Sequence, residues 1–479
     1  MKKIISFIIV LTLGFSFANG ETLSLYSYLQ QLIENDSEYK NIFSDSKSIL
    51  GQNMSIKGVY DWKLNSQVSK GFFKTMASGS AYINDMNTIA ADVHVSKLLR
   101  ESGTALSVGY AYEQSEMTIV GYGASKSYKP YLYIAANQPL VQNFMGNMVQ
   151  YPVRKTEIAE KLSKIQDEAK AEKYFETQLL LYYDWVLVYL SLKTTNEHYL
   201  NLVKLHSQVE KQYANDFISI TDLLRSKEGL RKTEDMMAAQ LNQLNIIVET
   251  ISNKIGRKAI KSNSWSEIAL VPAEYVIKNI TGDRKRNRIE EIYKLRFDSL
   301  KLDIENIIEN KKLKLNMFAN VKQYDLSNSP TGIFGDFGKT DYTIGFQMDV
   351  DLEGHDINGK LIETEEKTKQ LENEWILTQK NLEVINHKLE STLVENKNSI
   401  KRYQEIVEWS NQRFQQELKR YESGKVFLKT VVDTQSELLS NRNTLLQSEI
   451  AGYKLMVQRM SFDDQLFDYV KNIVPDLNK

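Results

Sequence analysis

Residues 342–352 read Tyr342-Thr343-Ile344-Gly345-Phe346-Gln347-Met348-Asp349-Val350-Asp351-Leu352 and alternate without a miss. Successive side chains of a strand point to opposite sides, so Tyr342, Ile344, Phe346, Met348, Val350 and Leu352 share one face and the polar residues the other. A run of this length also suffices for a tilted strand to cross a bilayer. Residues 313–322 repeat the pattern, setting Leu313, Leu315, Met317, Ala319 and Val321 against Lys314, Asn316, Phe318, Asn320 and Lys322. Charge on the polar face suits a water-filled lumen. In the first half, Leu106, Val108, Tyr110 and Tyr112 alternate with Ser107, Gly109, Ala111 and Glu113, residues 62–72 do so more weakly, and 131–138 run into Pro139. A further strand at 91–99 is expected to pair with 104–114 through Ser102-Gly103, an added hairpin. Alternation by itself also fits a soluble sandwich.

The helices give the context. Between 358 and 422 the apolar residues Leu371, Trp375, Leu382, Ile385, Leu389, Leu393, Ile400, Tyr403, Val407, Phe414, Leu418 and Tyr421 are separated by steps of three, four or seven. The seam spans 50 residues in 14 turns, about 3.57 per turn, between a straight helix and a strict heptad coil. At 1.5 Å per residue the helix would be about 95 Å long, which no compact domain accommodates. Only six prolines occur, and two long proline-free stretches, from Pro152 to Pro272 and from Pro330 to Pro475, leave room for such helices.

The chain reads as two copies of one plan. A helix opens at 23–50, strands follow, and 153–215 and 219–256 form two long helices. A non-repetitive joint at 257–283 then leads to a helix at 284–310, strands within 313–352, and helices at 358–422 and 427–470. Residues 216–224 sit 208 positions before 424–432, and Leu140 sits 212 before Leu352, so an internal duplication is expected. The boundaries become 1–20 for a leader, 21–256 for the first helix-strand-strand-helix repeat, 257–283 for the joint, 284–470 for the second repeat and 471–479 for a tail.

Composition removes several function classes. Sixty Lys and Arg against 61 Asp and Glu leave a net charge of -1, which gives no bulk pull toward nucleic acid. Absence of cysteine excludes disulfides, Cys-ligated metal and a thiol nucleophile. Met1-Lys2-Lys3, an apolar stretch at 4–17 and Ala18-Asn19-Gly20 read as a secretory signal peptide cleaved after Gly20. No later apolar run reaches the length of a spanning helix; the closest, 179–192, is broken by Asp184. A secreted chain of this kind reaches a membrane only as a β-barrel. Four to six strands are too few to close one, so the chain must oligomerise. Segments 113–130 and 325–341 would be the outward loops.

At this point the sequence resembles the TolC-like outer-membrane efflux protein family over most of the mature chain. The residues that carry the resemblance are Gln138-Pro139-Leu140, Asp351-Leu352 with Gly354 and Gly359, and Tyr421-Glu422-Ser423-Gly424 leading to Val431-Val432-Asp433-Thr434-Gln435. The resemblance implies a mainly α fold with β, in which a homotrimer builds one transmembrane β-barrel from about four strands per chain. The barrel continues into a long periplasmic α-helical coiled-coil barrel. It also implies residence in the outer membrane of a Gram-negative-type cell, contact with outer-membrane lipid, and two protein partners, a periplasmic adaptor and an inner-membrane transporter. The function implied is the exit duct of a tripartite efflux or type I secretion system; a pore-free periplasmic coiled-coil scaffold is the alternative. Asp351 stands where the first half has Pro139, and the hairpin at 91–114 exceeds the minimal four-strand pattern.

Such a duct is not an enzyme and needs no cofactor, metal or nucleic acid. Its closable end is expected at the helix-helix turns, near 213–225 and 421–435. Matching to the family places Asp433 at a constriction ring with Thr430 at the other ring position, and Asp222 and Tyr421 at a closed-state contact. The basic partner expected near Val426 is missing. Against these roles stands a structural reading: Ser219 with Asp222, and Thr430 with Asp433, have the spacing of a helix capping box. His198 and His206, eight apart, read as structural, and Tyr182, Tyr183, Trp185 and Tyr189 as helix-helix core. Arg284-Lys285-Arg286 with Arg288 reads as a solvated helix start. Gly121-Tyr122-Gly123 lacks the rest of a dinucleotide loop.

Overall fold

The computed structural model describes residues 21–78, 81–119, 123–272, 287–326 and 337–474. The leader, most of the loop at 325–341, residues 284–286 of the basic run, Gly121-Tyr122 and most of the tail lie outside them. Contacts divide the chain into two units: Met1–Phe43, Asp167–Arg288 and Thr378–Lys479 form one, Ser44–Gln166 and Ile289–Leu377 the other.

The first unit is built on helices. Strand β1 (Glu21–Leu23) pairs in parallel with β6 (Leu270–Pro272), tying the start of the chain to the joint. The expected single helix at 23–50 is three: α1 (Leu25–Asn35), α2 (Ser37–Ile42) and α3 (Ser44–Lys57), the last in the other unit. Asp36 causes the first break, because its extended backbone ends α1 while its carboxylate caps α2 by accepting the Glu38 N–H at 2.9 Å. Helices α4 (Asn147–Ala214), α5 (Ile220–Lys254), α7 (His355–Glu422) and α8 (Leu428–Phe462) supply the long elements. The expected core aromatics are buried in this unit: Tyr182, Tyr183 and Trp185 pack with Tyr28, Phe175, Leu244 and Val457, and Tyr189 stacks on Trp265. The last helix stops earlier than the expected 470. Asp464, at φ 57, breaks it, and α9 (Leu466–Ile473) follows.

Arg288 is not part of a solvated helix start. Its side chain is 1% exposed and meets Glu172 at 2.8 Å, Asp464 at 3.2 Å and Glu168 at 3.4 Å. Glu172 also accepts the N–H groups of Leu466 and Phe467 at the start of α9. Burial pushes the Glu172 carboxyl up to about 7 against the pull of Arg288 and those N–H groups. The acids that hold the arginine lie more than a hundred residues away, so a local run of charge carried no sign of them.

The second unit contains one antiparallel sheet in the order β2 (Lys63–Ser78), β3 (Ala81–Leu98), β4 (Ala105–Ile119), β5 (Gly123–Pro139), β7 (Lys314–Tyr324) and β8 (Lys339–Asp349), with α6 (Arg288–Asn310) before β7. The hairpin expected at 91–114 is present as β3 and β4, so the first half contributes four strands and the second two. The expected loop at 113–130 is mostly strand, because β4 and β5 run on in register to Ile119 and Gly123. Gln138 fastens the lower turn: its amide donates to the Ser102 carbonyl, and its oxygen accepts the Thr104 hydroxyl.

Register gives the sheet two unlike faces. Leu64, Val95, Val108, Ile134, Val321 and Tyr342 lie opposite one another across all six strands, and all six are exposed. The neighbouring row is Asn65, His94, Gly109, Tyr133, Lys322 and Asp341. On that polar face Asp92 binds His94 Nδ1 at 2.5 Å and accepts the Tyr133 hydroxyl at 2.8 Å. Gly109 is required there, since a Cβ would stand 2.9 Å from the Tyr133 ring. Among the described residues β2 and β8 are unpaired on their outer sides.

Helix α7 carries two opposed seams. The predicted seam, from Leu371 to Tyr421, is the less exposed side, apart from Ile385. On the opposite side Ile362, Ile376, Leu377, Val384, Val394 and Trp409 form a second apolar line, all exposed.

Candidate functional site

The turns between α4 and α5 and between α7 and α8 come together in one small core. Leu205 and Val209 of α4 and Leu428 and Val431 of α8 are buried there, with Leu223, Phe414, Leu418 and Tyr421 packed against them. Each turn ends its first helix with the same hydrogen bonds. In the first, Asp216 at φ 59 donates to the Tyr213 carbonyl and Phe217 to that of Gln212; in the second, Gly424 at φ 70 donates to Tyr421 and Lys425 to Arg420. A residue in the left-handed region is what lets the chain reverse here while satisfying the last carbonyls of the helix.

Tyr421 belongs to this core, and Asp222 stands close enough for its charge to act on the Tyr421 hydroxyl. Ser219 caps α5: its hydroxyl accepts the Asp222 N–H at 3.3 Å and donates to the Asp222 carboxylate at 3.0 Å. Arg225 stands 3.7 Å from the same carboxylate. The Tyr421 hydroxyl donates to Gln212 Oε1 at 2.8 Å, joining the two turns. Burial, and then the negative charge of Asp222, push the Tyr421 hydroxyl above its ordinary value of 10.

Thr430 and Asp433 are arranged differently. The residue before α8 is Phe427, which makes no side-chain cap, so Thr430 with Asp433 is not a capping box. The helix simply starts two residues before the threonine, at Leu428. Thr430 gives its carbonyl to the Thr434 hydroxyl at 2.9 Å. Asp433 is exposed, facing away from buried Val431, Thr434 and Gln435 on the same helix.

Gln212 and Arg225 are members that sequence reasoning missed. Arg225 had a signal, since three residues along a helix from Asp222 is an ion-pair spacing. Gln212 had none. Phe217 and Phe427, 78% and 81% exposed at the turns, were visible only as apolar residues in otherwise polar connections. The two histidines do not meet: burial beside Arg442 lowers His198 to about 4, while His206 bonds Ser226 at 2.7 Å. No cluster of potential metal ligands occurs among the described residues, and none of their helices is long and apolar enough to cross a membrane.

No protein-family model matches the sequence, and no curated protein does. Solved structures do match. The outer-membrane channel OprN superposes with a TM-score of 0.68 at 11% identity, covering 92% of this chain and 90% of its own. The fold is that of the TolC-like outer-membrane channels. VceC of Vibrio cholerae gives 0.66 at 12% identity, with 92% and 96% covered. CmeC of Campylobacter jejuni, also an outer membrane channel, gives 0.60 at 11%, with 95% and 88% covered. The likeness runs over almost the whole of both chains at low identity.

Proposed function

We propose that the chain is the outer-membrane exit duct of a tripartite efflux or type I secretion system, passively conducting substrate delivered by an inner-membrane pump. The observation that carries this reading is the exposed apolar row across all six strands, backed by a polar face of Asn65, His94, Tyr133 and Lys322. A soluble protein does not leave such a sheet in water, whereas a barrel wall needs lipid outside and water inside. The unpaired edges of β2 and β8 support a homotrimer. Three chains of six strands give about 18 in one barrel, within the range that membranes hold. The second apolar line of α7 supports the same assembly, because a helix in a hollow bundle has a neighbour on each side. The chain would then consist of the repeats 21–256 and 284–470, the joint 257–283 and the tail 471–479.

The paired turns are the gate in this reading. Three copies of exposed Asp433 form the constriction ring with Thr430 beside it, while Tyr421, Gln212 and Asp222 hold the turns shut. Phe217 and Phe427 are the apolar contacts offered to a periplasmic adaptor. The test is reconstitution: the purified chain should run as a heat-modifiable trimer and open ion-conducting pores in a planar lipid film. A correctly folded protein that stays a soluble monomer and conducts nothing would sink the proposal.

A further inference from the structure

At the end of the sheet where β3 turns into β4 and α4 begins, three cations stand among aromatic and apolar side chains. Lys97 Nζ lies 4.8 Å from the centre of the Trp62 ring, and the Arg100 guanidinium 5.9 Å from that of Tyr60. Arg154, on the exposed side of early α4, donates to Gln150 at 3.3 Å. The Gln150 amide in turn donates to the carbonyls of Arg100 and Met145 at 3.1 and 3.2 Å, and the Tyr60 hydroxyl to that of Val149 at 2.8 Å. These bonds tie Tyr60, Arg154 and the Arg100 backbone to the start of α4, with the Lys97–Trp62 pair on the neighbouring strand ends.

The adjoining loop adds apolar groups. Gly146, at φ 71, lies so close to the Arg100 carbonyl that a Cβ would stand 2.4 Å from it. Asn143 and Met145 take φ of 63 and 54, held by the Asn143 side chain accepting the Met148 and Val149 N–H groups. Phe144 and Met145 consequently project outward and are exposed. Among the described residues no carboxylate comes within ion-pair distance of Lys97, Arg100 or Arg154, whereas nearby Lys155 and Lys57 are paired with Asp303 and Glu157. Trp62 and Lys97 continue the outward apolar face of Leu64 and Val95 by two residues.

Unpaired cations, amphipathic rings and outward apolar residues at the border of an apolar band match the chemistry of a phosphate group bearing acyl chains. We infer that Lys97, Arg100, Arg154, Tyr60 and Trp62 bind the headgroup of an anionic glycerophospholipid in the leaflet at this end of the sheet, with Phe144 and Met145 against its acyl chains. The inference rests on the membrane reading above, and its test separates the two.

The reporter is Trp62 fluorescence, taken as the difference between the parent trimer and Trp62→Phe, in phosphatidylcholine vesicles carrying brominated phosphatidylglycerol or brominated phosphatidylcholine. A bound anionic headgroup predicts quenching by both, with at least about fivefold preference for phosphatidylglycerol, the effect of roughly one interfacial cation. In Lys97→Gln/Arg100→Gln/Arg154→Gln the preference should fall to about one. Arg154→Gln alone, on an exposed helix surface, should lower it severalfold should the triple variant fail to assemble. Equal quenching by both lipids, or a preference that survives the substitutions, overturns the site and leaves the membrane reading standing. No quenching by either lipid in an intact trimer overturns the membrane reading. Loss of the preference in millimolar inorganic phosphate identifies free phosphate as the ligand and overturns the lipid assignment.

Discussion

The two turns at the helix ends share a backbone and little else. Asp216 and Gly424, 208 residues apart, both take a left-handed conformation and close the same pair of hydrogen bonds, and Ser219 and Phe427 occupy the same position before the next helix. The first turn places an L-residue where glycine is favoured and gains a capped helix start. The second has the glycine and no cap. Three residues into each second helix stand Asp222 and Thr430, and three further on Arg225 and Asp433, of opposite charge. Conserved geometry with exchanged chemistry shows that the chain reversal is fixed by the packing of four helices, while the cap and the charge are free to differ.

The comparison can be broken at several points. The largest effect is expected from Gly424→Val, which puts a β-branched residue at φ 70 and should cost about 2 kcal/mol, read as faster hydrogen exchange in the last turn of α7. Asp216→Gly should do the reverse, more weakly. Exchange unchanged by Gly424→Val would show that the second turn does not need its left-handed residue.

Next comes the charge at equivalent positions. In the proposed channel, with Asp433 in a ring at the constriction, Asp433→Ala should weaken block by polyvalent cations about tenfold and raise single-channel conductance. Arg225→Ala should leave block in place. Unchanged conductance and unchanged block in the aspartate variant would remove Asp433 from the pore.

A smaller effect belongs to the caps. Ser219→Ala should destabilise the start of α5 by about 1 kcal/mol, and Phe427→Ser should stabilise the start of α8 by a comparable amount, each measured by local amide exchange. Equal responses to the two substitutions would erase the distinction between the turns.

The smallest effect is a titration. Tyr421 has a raised folded-state pKa, so its contribution is fully present below pH 10 and is lost as pH rises through the folded value. Asp222→Asn should bring that value down part of the way, seen as earlier phenolate absorbance on alkaline titration. No change would mean that burial alone sets it.

How far the sequence could be read follows from range. Alternation at 342–352 gave β8 on its correct faces, since a strand's side-chain period is a local property. Even so, it ends at Asp349, because Val350 and Leu352 have no partner in β7. The seam of α7 was legible for the same reason, and the offset of 208 located both turns. Asp36 and Asp464, which break helices, were not legible, since an aspartate inside an apolar pattern looks like a solvated helix residue until its backbone is seen. Of the residues named at the turns, Tyr421 does lie in the small core there with the Asp222 charge beside it, but the capping role proposed for Thr430 and Asp433 fell once Phe427 proved to precede the helix.

By itself the sequence determined the period of the long helices and the apolar and polar faces of the strand segments that it marked. Those follow from 3.6 and two residues per repeat, whatever the chain does elsewhere. Tertiary structure alone decided that Tyr421 meets Gln212, that Arg288 is buried among Glu168, Glu172 and Asp464, and that Leu64 stands in one row with Tyr342. These are pairings across a hundred residues or more, or sums of several registers. Their energy depends on how elements pack, which no local spacing encodes.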